Sequence, residues 1–143
     1  MRTLTYYVGT TLDGYTAAPD GSYDFFPVDR PLLDAIGERF PETLPTHVRE
    51  QLGITASGER FPIGLVRRLK AEPGAGIWLA GGGRLAGALL PEIDQLVLKR
   101  YPIVLGAGIP VIAAGSAHPR HFTVTDEQPL GVGATITTYT RTA

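Results

Sequence analysis

The stretch that most constrains the fold is Ile77-Trp78-Leu79-Ala80, followed without a spacer by Gly81-Gly82-Gly83 and then by Arg84 to Leu90. A short, wholly apolar run is what a strand covered on both faces requires. The residues after the glycines have helical spacing, with Leu85, Leu89 and Leu90 turned inward. After the turn Pro91-Glu92-Ile93-Asp94, Gln95 to Tyr101 resumes a strand, which Pro102-Ile103-Val104-Leu105 extends. Strand, helix, strand with a linker of about a dozen residues, the shortest a crossover can use, is a βαβ unit. It implies two parallel strands and a right-handed connection.

The flanking sequence adds elements of both kinds. Leu4 to Thr11 is rich in β-branched and aromatic residues and reads as a strand, with Gly9 marking a bulge or a close approach. Asp13-Gly14 and Asp20-Gly21 are turn signals on either side of Tyr15 to Ala18. Pro31 to Phe40 places Leu32, Leu33, Ile36 and Phe40 at helical spacing, and Pro41 ends that helix. A second short helix is expected between Pro45-Thr46 and Gly53, and a third from Leu65 to Lys70, stopped by Pro73-Gly74. Gly106 to Pro110 is a glycine-rich turn. His121 to Thr125 and Ala134 to Arg141 are Thr-rich strands joined by Asp126 to Gly133, an antiparallel hairpin. The class is α/β with a mixed sheet flanked by helices.

Composition narrows the possible functions. With 143 residues the chain is expected to form one domain with a real core. The 13 Lys and Arg nearly balance 14 Asp and Glu, whereas a nucleic-acid binder carries a basic excess. The absence of cysteine removes disulfides, thiolate metal sites and a Cys nucleophile. No apolar run approaches the roughly 18 to 20 residues of a membrane span, and Met1-Arg2-Thr3-Leu4 opens a strand rather than a signal peptide. A cytoplasmic, soluble protein is expected. The 18 Gly and 12 Pro lack a period, so they mark frequent turns rather than repeats.

Two places could carry chemistry. A strand ending in Gly81-Gly82-Gly83 that opens into a helix exposes N–H groups suited to a phosphate. The same glycines serve equally as a tight packing turn, and the pattern departs from the dinucleotide fingerprint. In Thr10-Thr11-Leu12-Asp13-Gly14, Asp13 could fix a substrate's polar groups or simply hydrogen-bond its own backbone in an Asx-turn. His47, His118 and His121 have no carboxylate cluster beside them in sequence, so no metal site is expected. Tyr23 to Phe26 could wall a pocket.

Tyr7-Val-Gly-Thr-Thr-Leu-Asp-Gly-Tyr-Thr-Ala17, taken with Ile77-Trp-Leu-Ala-Gly-Gly-Gly-Arg-Leu-Ala-Gly-Ala-Leu-Leu90, resembles the dihydrofolate reductase-like family. The closer branch is the C-terminal reductase domain of bacterial riboflavin biosynthesis proteins. Glu92 to Leu98 and Pro102 to Pro110 continue the likeness, which covers roughly residues 2 to 40 and 64 to 143. The resemblance implies a three-layer fold and NADPH-dependent reduction of a small heterocycle, pyrimidine- or pterin-like. It also implies that Gly81, Gly82 and Gly83 cradle the cofactor pyrophosphate with Arg84 and Leu85 beside it. Val8, Gly9 and Ala17 would lie along the nicotinamide. Thr11 and Asp13 would contact substrate, Asp13 as an anchor before a proton donor.

The likeness has one gap. Family members carry a further strand and a Gly-Arg-x-Thr-type helix start between the regions that match Phe61 and Leu65. Here Gly58-Glu-Arg-Phe-Pro-Ile-Gly-Leu65 joins the flanks directly. Either this chain has lost that segment near positions 61–64, or about 40 residues of the native sequence, on the scale of a βαβ unit, are absent from this one. A catalytically silent ligand-binding or dimerisation domain of the same fold is the alternative to the enzyme. A homodimer is expected, with the C-terminal hairpin offering an edge to pair.

Overall fold

A computed structural model of the chain describes residues 1–27, 63–80, 82–114 and 117–142. Five strands form the main sheet in the order β3-β1-β4-β7-β6, where β1 is Leu4–Thr10, β3 Ile77–Leu79, β4 Gln95–Arg100, β6 Phe122–Pro129 and β7 Thr135–Arg141. A second sheet pairs β2 (Tyr15–Ala17) with β5 (Ile109–Pro110). Two helices are described, α1 (Ile63–Ala71) and α2 (Gly83–Leu89), and a 3-10 turn at Leu90–Glu92 follows the second. The helices expected at 31–40 and after Pro45, His47, Gly81 and the junction at 61–62 lie outside the described residues.

The βαβ unit is present, but its two strands are not neighbours. Both β3 and β4 run parallel to β1, which lies between them: Leu4 is opposite Ile77, and Tyr6 is opposite both Leu79 and Leu96. Being central, β1 is buried on both faces. Leu4, Tyr6 and Val8 pack with Val66, Leu79, Ala86, Leu89 and Ile93 under the two helices. Tyr7 packs on the opposite face with Val97, Tyr101, Leu130, Ala134 and Ile136. Two-sided burial explains why Leu4 to Thr10 lacks the polar alternation of a half-exposed strand.

The start of β1 is fastened to α1 by a buried lysine. Lys70 donates to the Glu92 carbonyl at 2.8 Å and pairs with Asp94 Oδ2 at 2.8 Å, and the same oxygen accepts the Leu4 N–H. The Lys70 carbonyl in turn accepts the Arg2 N–H. A buried ammonium is tolerated here because it is both ion-paired and hydrogen-bonded.

Two expected boundaries differ. β4 ends at Arg100 rather than continuing to Leu105. Pro102 has no N–H to give a ladder, and Ile103 N–H turns back to the Tyr101 carbonyl. In the hairpin, Asp126 to Pro129 remain in β6 instead of joining the loop, because a register shift between Val124 and Asp126 lets pairing with β7 resume. That irregularity, with Asp126, Glu127 and Pro129, lies on the strand at the end of the sheet order, and such features discourage edge-to-edge pairing. Among the described residues no helix is long and apolar enough to cross a membrane.

Candidate functional site

Ligands of parallel α/β sheets bind beyond the carboxyl ends of the strands. In this chain that end carries the turn after β1, the glycines after β3 and residues 101–114 after β4. The third of these segments organises the other two. From Leu105 to Ala113 it runs as a strap that bonds to the β1 turn, to β2 and to α2. Val111 N–H donates to the Gly14 carbonyl, Ala113 N–H donates to the Gly83 carbonyl, and the Val111 carbonyl accepts the Tyr6 hydroxyl at 2.8 Å.

The glycines after β3 divide into two kinds. Gly82 is exposed and extended (φ −103°, ψ −165°), and a Cβ built there would meet nothing within 4 Å. Gly83 is buried, and a Cβ on it would stand 1.9 Å from the Pro110 carbonyl oxygen. Gly87, one turn on, faces the Ala113 carbonyl in the same way at 2.0 Å. Both sequence readings of the triple glycine therefore have a place in the structure: Gly83 is a packing glycine, whereas Gly82 leaves open space. Arg84 is exposed beside it, and Leu85 is half-buried against the helix-side core.

Thr11 and Asp13 are brought together, but their polar atoms are largely engaged by the protein. Thr11 is almost wholly buried; its hydroxyl donates to Asp13 Oδ1 at 2.6 Å and accepts the Tyr15 N–H. Asp13 Oδ1 also accepts the Leu105 N–H at 3.1 Å, and Oδ2 accepts the Gly106 N–H at 2.7 Å. These bonds, the Thr11 hydroxyl first, hold the Asp13 carboxyl down at about 2. These bonds favour the ionised form of Asp13, which suits an anchoring carboxylate better than a proton donor. The carboxylate bonds one side chain of its own turn, Thr11, and two backbone N–H groups of a distant segment, a pattern that neither sequence reading described.

Gly9 interrupts nothing in the β1–β4 ladder, so it is no bulge. A Cβ there would lie 3.4 Å from Tyr101 Cε2 and 3.8 Å from the Phe26 ring, and those two rings meet at 4.8 Å between centroids with their planes tilted by 44°. The close approach is aromatic. Val8 points into the helix-side core, and Ala17 is buried in β2 with its carbonyl pressed on Gly108. On the same sheet face as Gly9, Lys99 holds its ammonium 4.5 Å from the centre of the Tyr7 ring, and burial pushes it down to about 8. Lys99 and the bonds of the strap escaped the sequence reading, which placed Tyr6 only among the aromatic residues near the first turn. Only Gly106 and Gly108 signalled the strap, and they were legible merely as a turn.

Solved structures share this architecture. Over 99% of the chain it matches a candidate riboflavin biosynthesis protein of Shewanella sp. PV-4, with a TM-score of 0.65, 21% identity and 99% of that chain covered. The dihydrofolate reductase of Enterococcus faecalis, complexed with NADP(H), matches over 99% of this chain and 97% of its own, with a TM-score of 0.58 and 12% identity. The chain has the dihydrofolate reductase-like fold. Within that fold it also matches the diaminohydroxyphosphoribosylaminopyrimidine deaminase/5-amino-6-(5-phosphoribosylamino)uracil reductase of Thermotoga maritima, with a TM-score of 0.65, 12% identity and 57% of that longer chain covered. By sequence, 46 residues (31% of this chain) are 46% identical to the uncharacterized protein YwjB of Bacillus subtilis (strain 168), and the match spans 26% of that protein. No protein-family model matches.

Proposed function

We propose that this chain is an NADPH-dependent reductase of a small heterocyclic substrate, pyrimidine- or pterin-like. Its fold neighbours include a uracil-type reductase and a dihydrofolate reductase complexed with NADP(H), which supports the class. The observation within this chain that carries the proposal is Gly82. It is an exposed position without a side chain, at the carboxyl end of the parallel strands, with open space where a Cβ would be. A pyrophosphate can approach backbone there as it cannot beside a branched residue. Arg84 and Leu85 stand at the same turn, and Val8, Gly9 and Ala17 are the residues proposed for the nicotinamide end.

When bound, the nicotinamide supplies the hydride. The protein's task is orientation, for which the rigid β1 backbone and the buried Thr11 provide a fixed floor. Dimerisation and a cytoplasmic location belong to the same proposal.

One set of observations favours a silent domain of the same fold. Gly83, Thr11 and Asp13 each have a packing or bonding role that needs no ligand. Calorimetric titration of the chain with NADPH, with NADH as control, separates the two. A micromolar dissociation constant that Gly82→Val weakens more than tenfold supports the reductase. Absence of binding up to millimolar cofactor favours the silent domain.

A further inference from the structure

The strap at 105–113 touches both halves of the candidate site, and its path is pinned at several points. Gly108 lies so close to the Ala17 carbonyl that a Cβ would stand 2.2 Å from the oxygen. Ile109 and Pro110 pair with Ala17 and Tyr15. Pro110 and Ala113 press on Gly83 and Gly87. Upstream of these contacts, at the entry of the strap, the chain has left the sheet, and Gly106 holds a left-handed φ of +85°. There the Asp13 carboxylate takes two successive backbone N–H groups, one on each oxygen. A carboxylate has about four acceptor positions. With the Thr11 hydroxyl added, three are filled from within the protein.

We propose that Asp13 is a positioning residue for the strap. Through Leu105 and Gly106 it fixes the entry of the strap, and the strap sets the spacing between the β1 turn and the start of α2, across which the cofactor would lie. This rests on the reductase proposal for its cofactor half, while the clamp itself can be measured without a cofactor. Gly106 and Leu105 are therefore parts of the site's architecture even where they touch no ligand.

The test has two arms. In the first, amide hydrogen exchange by NMR is followed in the wild-type chain, Asp13→Asn and Asp13→Ala, without ligand. Leu105 and Gly106 amides should exchange at least tenfold faster in Asp13→Ala, with partial protection restored by Asn, which keeps one acceptor oxygen. Unchanged protection in Asp13→Ala would overturn the clamp. In the second arm, NADPH dissociation constants are measured for Asp13→Ala, Gly106→Ala and the double variant. If Asp13 acts through the strap, each single change weakens binding about tenfold or more, and the double variant is within about twofold of the weaker single. Full additivity, or singles that bind NADPH as the wild type does despite lost protection, would overturn the positioning role. A wild-type chain that binds no NADPH but shows the protected amides would refute the reductase proposal and leave the clamp standing.

Discussion

Replacing Gly83 with alanine separates packing from propensity within one helical turn. Inside a helix, Gly to Ala ordinarily gains about 1 kcal/mol. At Gly83 the new Cβ would sit 1.9 Å from the Pro110 oxygen, about 1.5 Å short of ordinary van der Waals separation. The obstacle is backbone on both sides, so no rotamer relieves it; α2 or the strap must move. Overpacking of this kind costs about 1–3 kcal/mol. Moving the strap also stretches the Ala113 N–H bond to the Gly83 carbonyl, now 2.9 Å, at about 1 kcal/mol. The propensity gain offsets part of this, leaving a net loss of about 1–3 kcal/mol. For a domain of this size that lowers the melting temperature by roughly 3–10 °C. Gly82→Ala, one residue earlier and facing open space, should stay within about 0.5 kcal/mol of wild type. Thermal unfolding of both variants by circular dichroism is the assay. A Gly83→Ala chain as stable as the wild type, or a Gly82→Ala chain equally damaged, would refute the division of the glycines drawn above.

Other substitutions test the core and its charges. Tyr6→Phe removes a hydrogen bond to the Val111 carbonyl and should cost about 1–2 kcal/mol in chemical denaturation; a loss below about 0.5 kcal/mol would mean water replaces the hydroxyl. Lys70→Met strands Asp94 beside β1 and should cost about 2 kcal/mol, less than a fully buried pair because Asp94 reaches the surface; an unchanged denaturation midpoint would show the ion pair contributes nothing. Lys99 is held down at about 8 by burial in the folded chain, so between about pH 8 and 10.5 the unfolded chain binds the extra proton and stability rises with pH. Its charge costs up to about 3 kcal/mol below pH 8, reduced by the Tyr7 ring contact. Lys99→Met should therefore be more stable at pH 7 and lose this rise; an identical alkaline profile would contradict it. Asp13, with its carboxyl lowered to about 2, contributes stability present above the ordinary carboxylate range and lost as pH falls from about 4 to about 2. An acid-unfolding profile unchanged in Asp13→Ala would count against that contribution.

Much of the fold was legible because it rests on local patterns. The apolar run at Ile77 to Leu79, the glycines and the helix after them read correctly as strand, turn and helix, and so did β1 and α1 within a residue or two. What sequence could not convey was pairing at a distance. Nothing local shows that β1 lies between β3 and β4, or that Pro102 would end β4 where the apolar pattern runs on to Leu105. The site was legible to the same extent. Thr11, Asp13 and the glycines stood out by residue type, yet their engagement depends on backbone groups of residues 105–113. A backbone N–H or carbonyl carries no signature in the side-chain sequence.

The central place of β1 bears on how the chain comes to be folded. Leu4 pairs with Ile77 and Tyr6 with Leu96, so β1 has both its sheet neighbours far downstream. At about 5–20 residues per second, β1 waits for several seconds with its Tyr and Val side chains uncovered before a partner strand exists. During that interval the nascent chain depends on shielding from elsewhere, and slow elongation through the segment up to Arg100 lengthens its exposure to aggregation.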